Sequence, residues 1–136
     1  MERNYNIADK TVRKNLMITT VKYGNTNTYF IKGSVANLLI DTDYAGTLPA
    51  FYKALKTQGI TVSDIDYVLC THYHPDHCGL VSSLMSQGVK PVVMESQIDQ
   101  VHYPDQIFAK QPHLDYVPID ERKALVISFA GSRAFL

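Results

Sequence analysis

Three of the chain's five histidines and an aspartate fall within six positions, in Thr71-His72-Tyr73-His74-Pro75-Asp76-His77-Cys78. Two plain readings compete with a chemical one: a polar surface loop, or a helix start capped by an aspartate. His72 and His74 are two apart, so an extended backbone points both to the same side. A short, constrained loop can then aim both imidazoles at one ion. Pro75 fixes one φ and favours extended backbone just before it. Asp76 and His77 follow at the turn into a helix, within reach of a second ion beside the first. Neutral imidazole and carboxylate together suit zinc, manganese or iron. Such an ion lowers the pKa of bound water to about 7, and two ions can hold a hydroxide between them. Three histidines and an aspartate in this spacing favour metal binding over both plain readings. Tyr73, between the ligands, is expected to wall the site or pack rather than to catalyse.

The elements that must position this cluster can be read along the chain. Three strand-like runs, "LMITTVKY", "TNTYFIKG" and "VANLLIDTD", follow a polar lead-in over residues 1–15. Glycine-led links at Gly24-Asn25 and Gly33-Ser34 predict tight hairpins, since glycine accepts positive φ. The spacing of Leu48, Phe51, Tyr52 and Leu55 predicts a helix from about Leu48 to Gln58, with Pro49 in its first turn and Gly59 beyond its end. "DYVLCT" reads as a buried strand, and a second helix is expected from Asp76 to about Gln87. His77, Leu80, Val81 and Leu84 would share its inward face. "KPVVME" predicts another strand and "SQIDQVHY" a short helix capped by Ser96. The stretch from Pro104 to Pro118 reads as irregular, and "ALVISF" and "RAFL" as closing strands. Strands alternating with helices indicate a single mixed α/β domain. The histidines then lie past a strand's carboxyl end, where open α/β sheets tend to bind ligands.

Bulk composition narrows the partners. Thirteen basic and thirteen acidic residues cancel, so nothing favours nucleic acid or an acidic membrane surface. No apolar run is long enough to span a bilayer. The polar start lacks the apolar stretch of a secretion signal, which reads as cytoplasmic. Cys70 and Cys78 are the only cysteines, too few for a disulfide framework. Cys78 is expected to be a buried, inert thiol.

"THYHPDHCGL" resembles the H-x-H-x-D-H signature of the metallo-β-lactamase superfamily. "NLLIDTD" resembles that family's strand ending in an aspartate, and "DIDYVLCTHYHPDH" its run of strand, threonine and metal loop. The resemblance implies that His72 and His74 bind a first metal and that Asp76 and His77 bind a second. It further implies that Asp76 orients a bridging hydroxide and that Asp41 braces the loop from behind. Up to two zinc ions would be held, iron or manganese being alternatives.

The chain also departs from the family. Asp43 stands where the family often has glycine, and Cys78-Gly79-Leu80 where it often has two small residues. The later histidine, bridging aspartate and final histidine have no counterparts, since His102 and His113 read as surface residues. The resemblance therefore implies the amino-terminal half of an αββα sandwich, truncated at its carboxyl end. The expected function is a metal-dependent hydrolase that uses metal-bound hydroxide on an ester, thioester, lactone, amide or phosphodiester. The isolated 136-residue chain is expected to be inactive. The alternatives are a non-catalytic metal-binding fragment that self-associates, and an iron-dependent oxidoreductase of the same superfamily. A sheet lacking its facing layer predicts a homodimer or larger self-assembly.

Overall fold

A computed structural model describes residues 17–128. The first three strand-like runs form the expected antiparallel meander. β1 (Met17–Lys22) pairs with β2 (Asn27–Lys32), and β2 with β3 (Asn37–Ile40). The linking glycines serve a different purpose from the expected one, because neither Gly24 nor Gly33 adopts a positive φ. Both are sites of close approach. A Cβ on Gly24 would lie 2.2 Å from Asp43 Oδ2, and one on Gly33 would lie 2.5 Å from the Ala36 carbonyl oxygen.

From β3 onward the sheet is parallel: β4 (Tyr67–Leu69), β5 (Lys90–Met94) and β6 (Leu125–Ile127) follow in sequence order. Parallel neighbours require crossovers. Helix α1 (Leu48–Thr57) lies between β3 and β4 in the chain, and two short helices, α2 (Pro75–Cys78) and α3 (Val81–Met85), lie between β4 and β5. In α1 the predicted stripe buries Phe51 and Leu55, while Tyr52 stays at the rim. Gly59, at φ +71°, ends the helix as expected.

The helix expected over Asp76–Gln87 is broken at Gly79-Leu80. A continuous helix would offer the His77 carbonyl to the N–H four residues on. Here Thr42 takes that carbonyl instead, through its N–H at 2.8 Å and its hydroxyl at 3.0 Å. The same hydroxyl accepts the Leu80 N–H at 3.2 Å. The crossing segment passes so close to Gly79 that a Cβ there would sit 2.3 Å from the Ala45 nitrogen and 2.5 Å from the Asp43 carbonyl oxygen. Ser96 does not cap an α-helix, contrary to expectation. Glu95–Gln100 is a 3-10 turn with Met94 at its cap position, and Gln97 accepts the Met94 N–H. The stretch read as irregular contains helix α4 (Asp105–Ala109) and a 3-10 turn at Pro112–Leu114. The "RAFL" run lies outside the described residues.

The core lies on one face of the sheet. Val21, Phe30, Leu39, Val68 and Val93 are buried there with Phe51 and Leu55 of α1 and Val81 and Leu84 of α3. Side chains alternate across the sheet, and the registers align the opposite set into two rows on the second face. Ile18, Ile31, Leu38 and Tyr67 form one row, and Tyr29, Ile40, Leu69, Val92 and Leu125 form much of the other. These nine positions are apolar and, apart from Val92, half-buried or exposed, with Thr20 and Lys90 ending the rows. The fold is thus a mixed α/β layer pair. Among the described residues no helix is long and apolar enough to cross a membrane.

Candidate functional site

Strand β4 delivers the chain to the histidine loop, and α2 carries it away. The three predicted imidazoles come together there. Ring centroids of His72 and His77 are 3.9 Å apart, and those of His72 and His74 are 4.5 Å apart. Asp76 Oδ1 lies 3.7 Å from His77 Nε2. Tyr73 turns the other way and is buried in the core cluster, so it packs rather than faces the loop.

Asp41 supports this loop from the end of β3. It occupies the left-handed region at φ +64°, which aspartate tolerates better than most side chains. Its N–H donates to the Leu69 carbonyl at 2.8 Å, tying it to the last residue of β4. Its carboxylate accepts the Thr71 N–H at 2.8 Å and the Thr71 hydroxyl at 2.9 Å. Asp41 Oδ2 is also 3.2 Å from His77 Nδ1. A second brace escaped the sequence reading. Gln97 Nε2 donates to the Thr71 carbonyl at 2.9 Å, holding the loop from the far side of β5. Nothing local marks Gln97, because its partner is 26 residues away. Tyr103, an exposed aromatic, stands with its ring 5.5 Å from that of His74.

The two cysteines are free and buried, as expected for Cys78. Cys70 Sγ donates to the His77 carbonyl and Cys78 Sγ to the His74 carbonyl, each at 3.4 Å. Burial pushes the Cys78 thiol up to about 12 and raises Cys70 as well. Neither is a ready thiolate. His113 and His102 lie on the surface, as expected. His102 is held between Asp105 at 2.7 Å and Glu121 at 2.8 Å. The Asp105 hydrogen bond, then that to Glu121, raises its pKa against the opposing effect of desolvation.

Desolvation, then the neighbouring His77 and His74, holds the His72 imidazole below the usual histidine value, which favours the neutral form that ligates. His77 Nδ1 is buried without a hydrogen bond, Asp41 lying close but off the required line. Neutral imidazoles beside a carboxylate are the right donor types for zinc or iron. Among the described residues, however, no three His, Cys, Asp or Glu side chains are arranged as a group that could hold a metal ion. The chemistry of the donors fits, and their closure on a single point is incomplete.

The fold is shared with known proteins. FEZ-1-Y228A, a mutant metallo-β-lactamase from Legionella gormanii, shares the fold with a TM-score of 0.63 at 21% identity, over 80% of this chain and 43% of that one. BJP-1, a subclass B3 metallo-β-lactamase of Bradyrhizobium japonicum, aligns with a TM-score of 0.58 at 27% identity, over 62% of this chain and 33% of that one. The sequence profile of the metallo-β-lactamase superfamily matches residues 21–128, and the chain belongs to that superfamily. Its members are mostly metal-dependent hydrolases that bind divalent metals, with some oxidoreductases among them. Among curated relatives, the lactamase-like protein nscB of Trichophyton rubrum is 32% identical over 115 residues, covering 82% of this chain and 30% of the relative. The flavo-diiron protein FprA2 of Clostridium acetobutylicum is 32% identical over 87 residues, covering 63% of this chain and 21% of the relative. The chain spans less than a third of the length of either.

Proposed function

We propose that the chain carries the metal-binding loop of a metallo-β-lactamase-like hydrolase, acting on an ester, thioester, lactone, amide or phosphodiester. The observation that carries this reading is the gathering of His72, His74, Asp76 and His77 past the end of β4, on a loop braced by Asp41. His72 and His74 would hold one divalent ion, and Asp76 and His77 a second, with zinc the best match to the donors. A bound ion of this kind supplies Lewis acidity and a coordinated water of pKa about 7. The chain's own residues supply the rest. Asp41 and Thr71 fix the loop, and Asp76 would orient a water in the loaded site.

His72 and His74 supply two ligands to one ion and Asp76 and His77 two to the other, where closed sites have three or four, which supports weak metal binding by this chain alone. Elemental analysis after gel filtration is expected to find less than full occupancy of a two-ion site, falling further in His74→Ala and Asp76→Ala. Ions that fill both positions and survive dialysis would reveal further ligands. No binding at all would sink the metal reading. Hydrolysis of generic esters, lactones and phosphodiesters is expected to be slight. Turnover abolished by His74→Ala would mean that the site is already complete.

The likeness to a flavo-diiron protein favours a second reading, iron-dependent oxidoreduction. Higher affinity for iron than for zinc would favour it. A third reading, a non-catalytic metal-binding unit that pairs with a second copy of itself, is supported by the apolar second face of the sheet.

A further inference from the structure

We infer that Thr26 is a positioning residue for Asp76, held in place by the buried carboxylate of Asp43. The consequence for metal binding rests on the reading proposed above, whereas the geometry stands by itself. Asp76 sits on a helix of only four residues, and its side chain is 49% exposed, so packing leaves its rotamer largely free. One of its oxygens, Oδ1, faces His77 at 3.7 Å. The other, Oδ2, accepts a hydrogen bond from the Thr26 hydroxyl at 3.4 Å.

Thr26 comes from the turn that joins β1 to β2, far from Asp76 in the chain. That turn is pinned from beneath. Asp43 is 3% exposed, and a carboxylate so buried needs compensation by donors. It accepts the Thr26 N–H on Oδ2 at 2.9 Å and the Tyr44 N–H on Oδ1 at 2.7 Å. Gly24 leaves room for that carboxylate, since any Cβ there would collide with it. Asp43 departs from the glycine frequent in the family, and the departure has a use: it docks the turn that brings Thr26 to Asp76. Thr26 itself is 7% exposed, so its hydroxyl is directed rather than roaming in solvent.

The test uses the full chain with Thr26→Val, close to isosteric without the hydroxyl, and Thr26→Ser, which keeps it. Thr26→Ala serves as a second hydroxyl-free variant should valine disturb folding. In the metal-free chain, the 13Cγ resonance of Asp76 is expected to move in Thr26→Val and return toward its original position in Thr26→Ser. Zinc affinity, measured by competition with a chromophoric chelator, is expected to fall about tenfold in Thr26→Val, with Thr26→Ser within about twofold of the parent. An Asp76 resonance untouched by loss of the hydroxyl would overturn the proposal, as would a serine variant as weak as valine. If the parent binds no zinc while the resonance still responds, the metal reading fails and the positioning role stands.

Discussion

Asp41 combines three duties in one side chain. It tolerates a left-handed backbone, accepts both donors of Thr71, and lies against His77. Removing the carboxylate would leave the Thr71 N–H without that partner and would keep the strained φ. Hydrogen bonds to a charged group contribute about 1.5–3 kcal/mol each, so Asp41→Ala is expected to lose about 3 kcal/mol of stability. Urea unfolding of the metal-free chain measures this. Asp41→Asn tolerates the same backbone and retains an acceptor, so it should lose clearly less. Equal losses in the two variants would mean that the carboxylate is not what braces the loop. The sequence offered Asp41 as a candidate through the resemblance of "NLLIDTD" to the family's strand ending in an aspartate. It held no comparable sign for Gln97, whose amide meets the loop only after β4 and β5 pair.

At the scale of elements, the informative feature is the break between α2 and α3. Periodicity alone predicts one continuous helix, because Leu80, Val81 and Leu84 keep a helical spacing and are all buried. A competing interaction overrides that pattern: the segment Thr42–Ala45 takes the His77 carbonyl and touches Gly79. Gly79→Ala should therefore force backbone apart and cost about 3 kcal/mol, the upper range for overpacking. Gly59→Ala meets no atom within 4 Å and strains only its positive φ, so it should cost about 1 kcal/mol. Denaturant midpoints of the two variants compare them directly. Similar losses would show that the crossing can slide to admit a methyl group.

For the whole molecule, the decisive property is the asymmetry of the sheet. One face is covered by α1 and α3, and the other presents rows of isoleucine, leucine and tyrosine at partial exposure. Met17 and Ile18 on β1 and Leu125 and Val126 on β6 are exposed at the two edges of the described sheet. Apolar area of this kind favours association, and a second copy is the simplest symmetric partner. Light scattering at micromolar concentration is expected to give a dimer or larger species, with Ile31→Lys shifting it toward monomer. A well-folded monomer for the parent chain would count against self-association through this face.

The sequence by itself determined the superfamily resemblance and most of the strands. The histidine cluster is local, so residue type and spacing within six positions sufficed to mark it, and strand-like runs between glycine-led links sufficed to mark the first strands of the sheet. Tertiary structure alone decided what joins across distance. It set the interruption of the second helix, the reach of Gln97 to Thr71, and the docking of Thr26, held by Asp43, onto Asp76. It also changed the meaning of Gly24, which reads locally as a turn former and proves to be the space that a buried carboxylate fills. The physical reason is common to all of these. Periodicity and propensity act over one or two turns of chain, whereas a hydrogen bond or a close contact depends only on where folding has brought two groups.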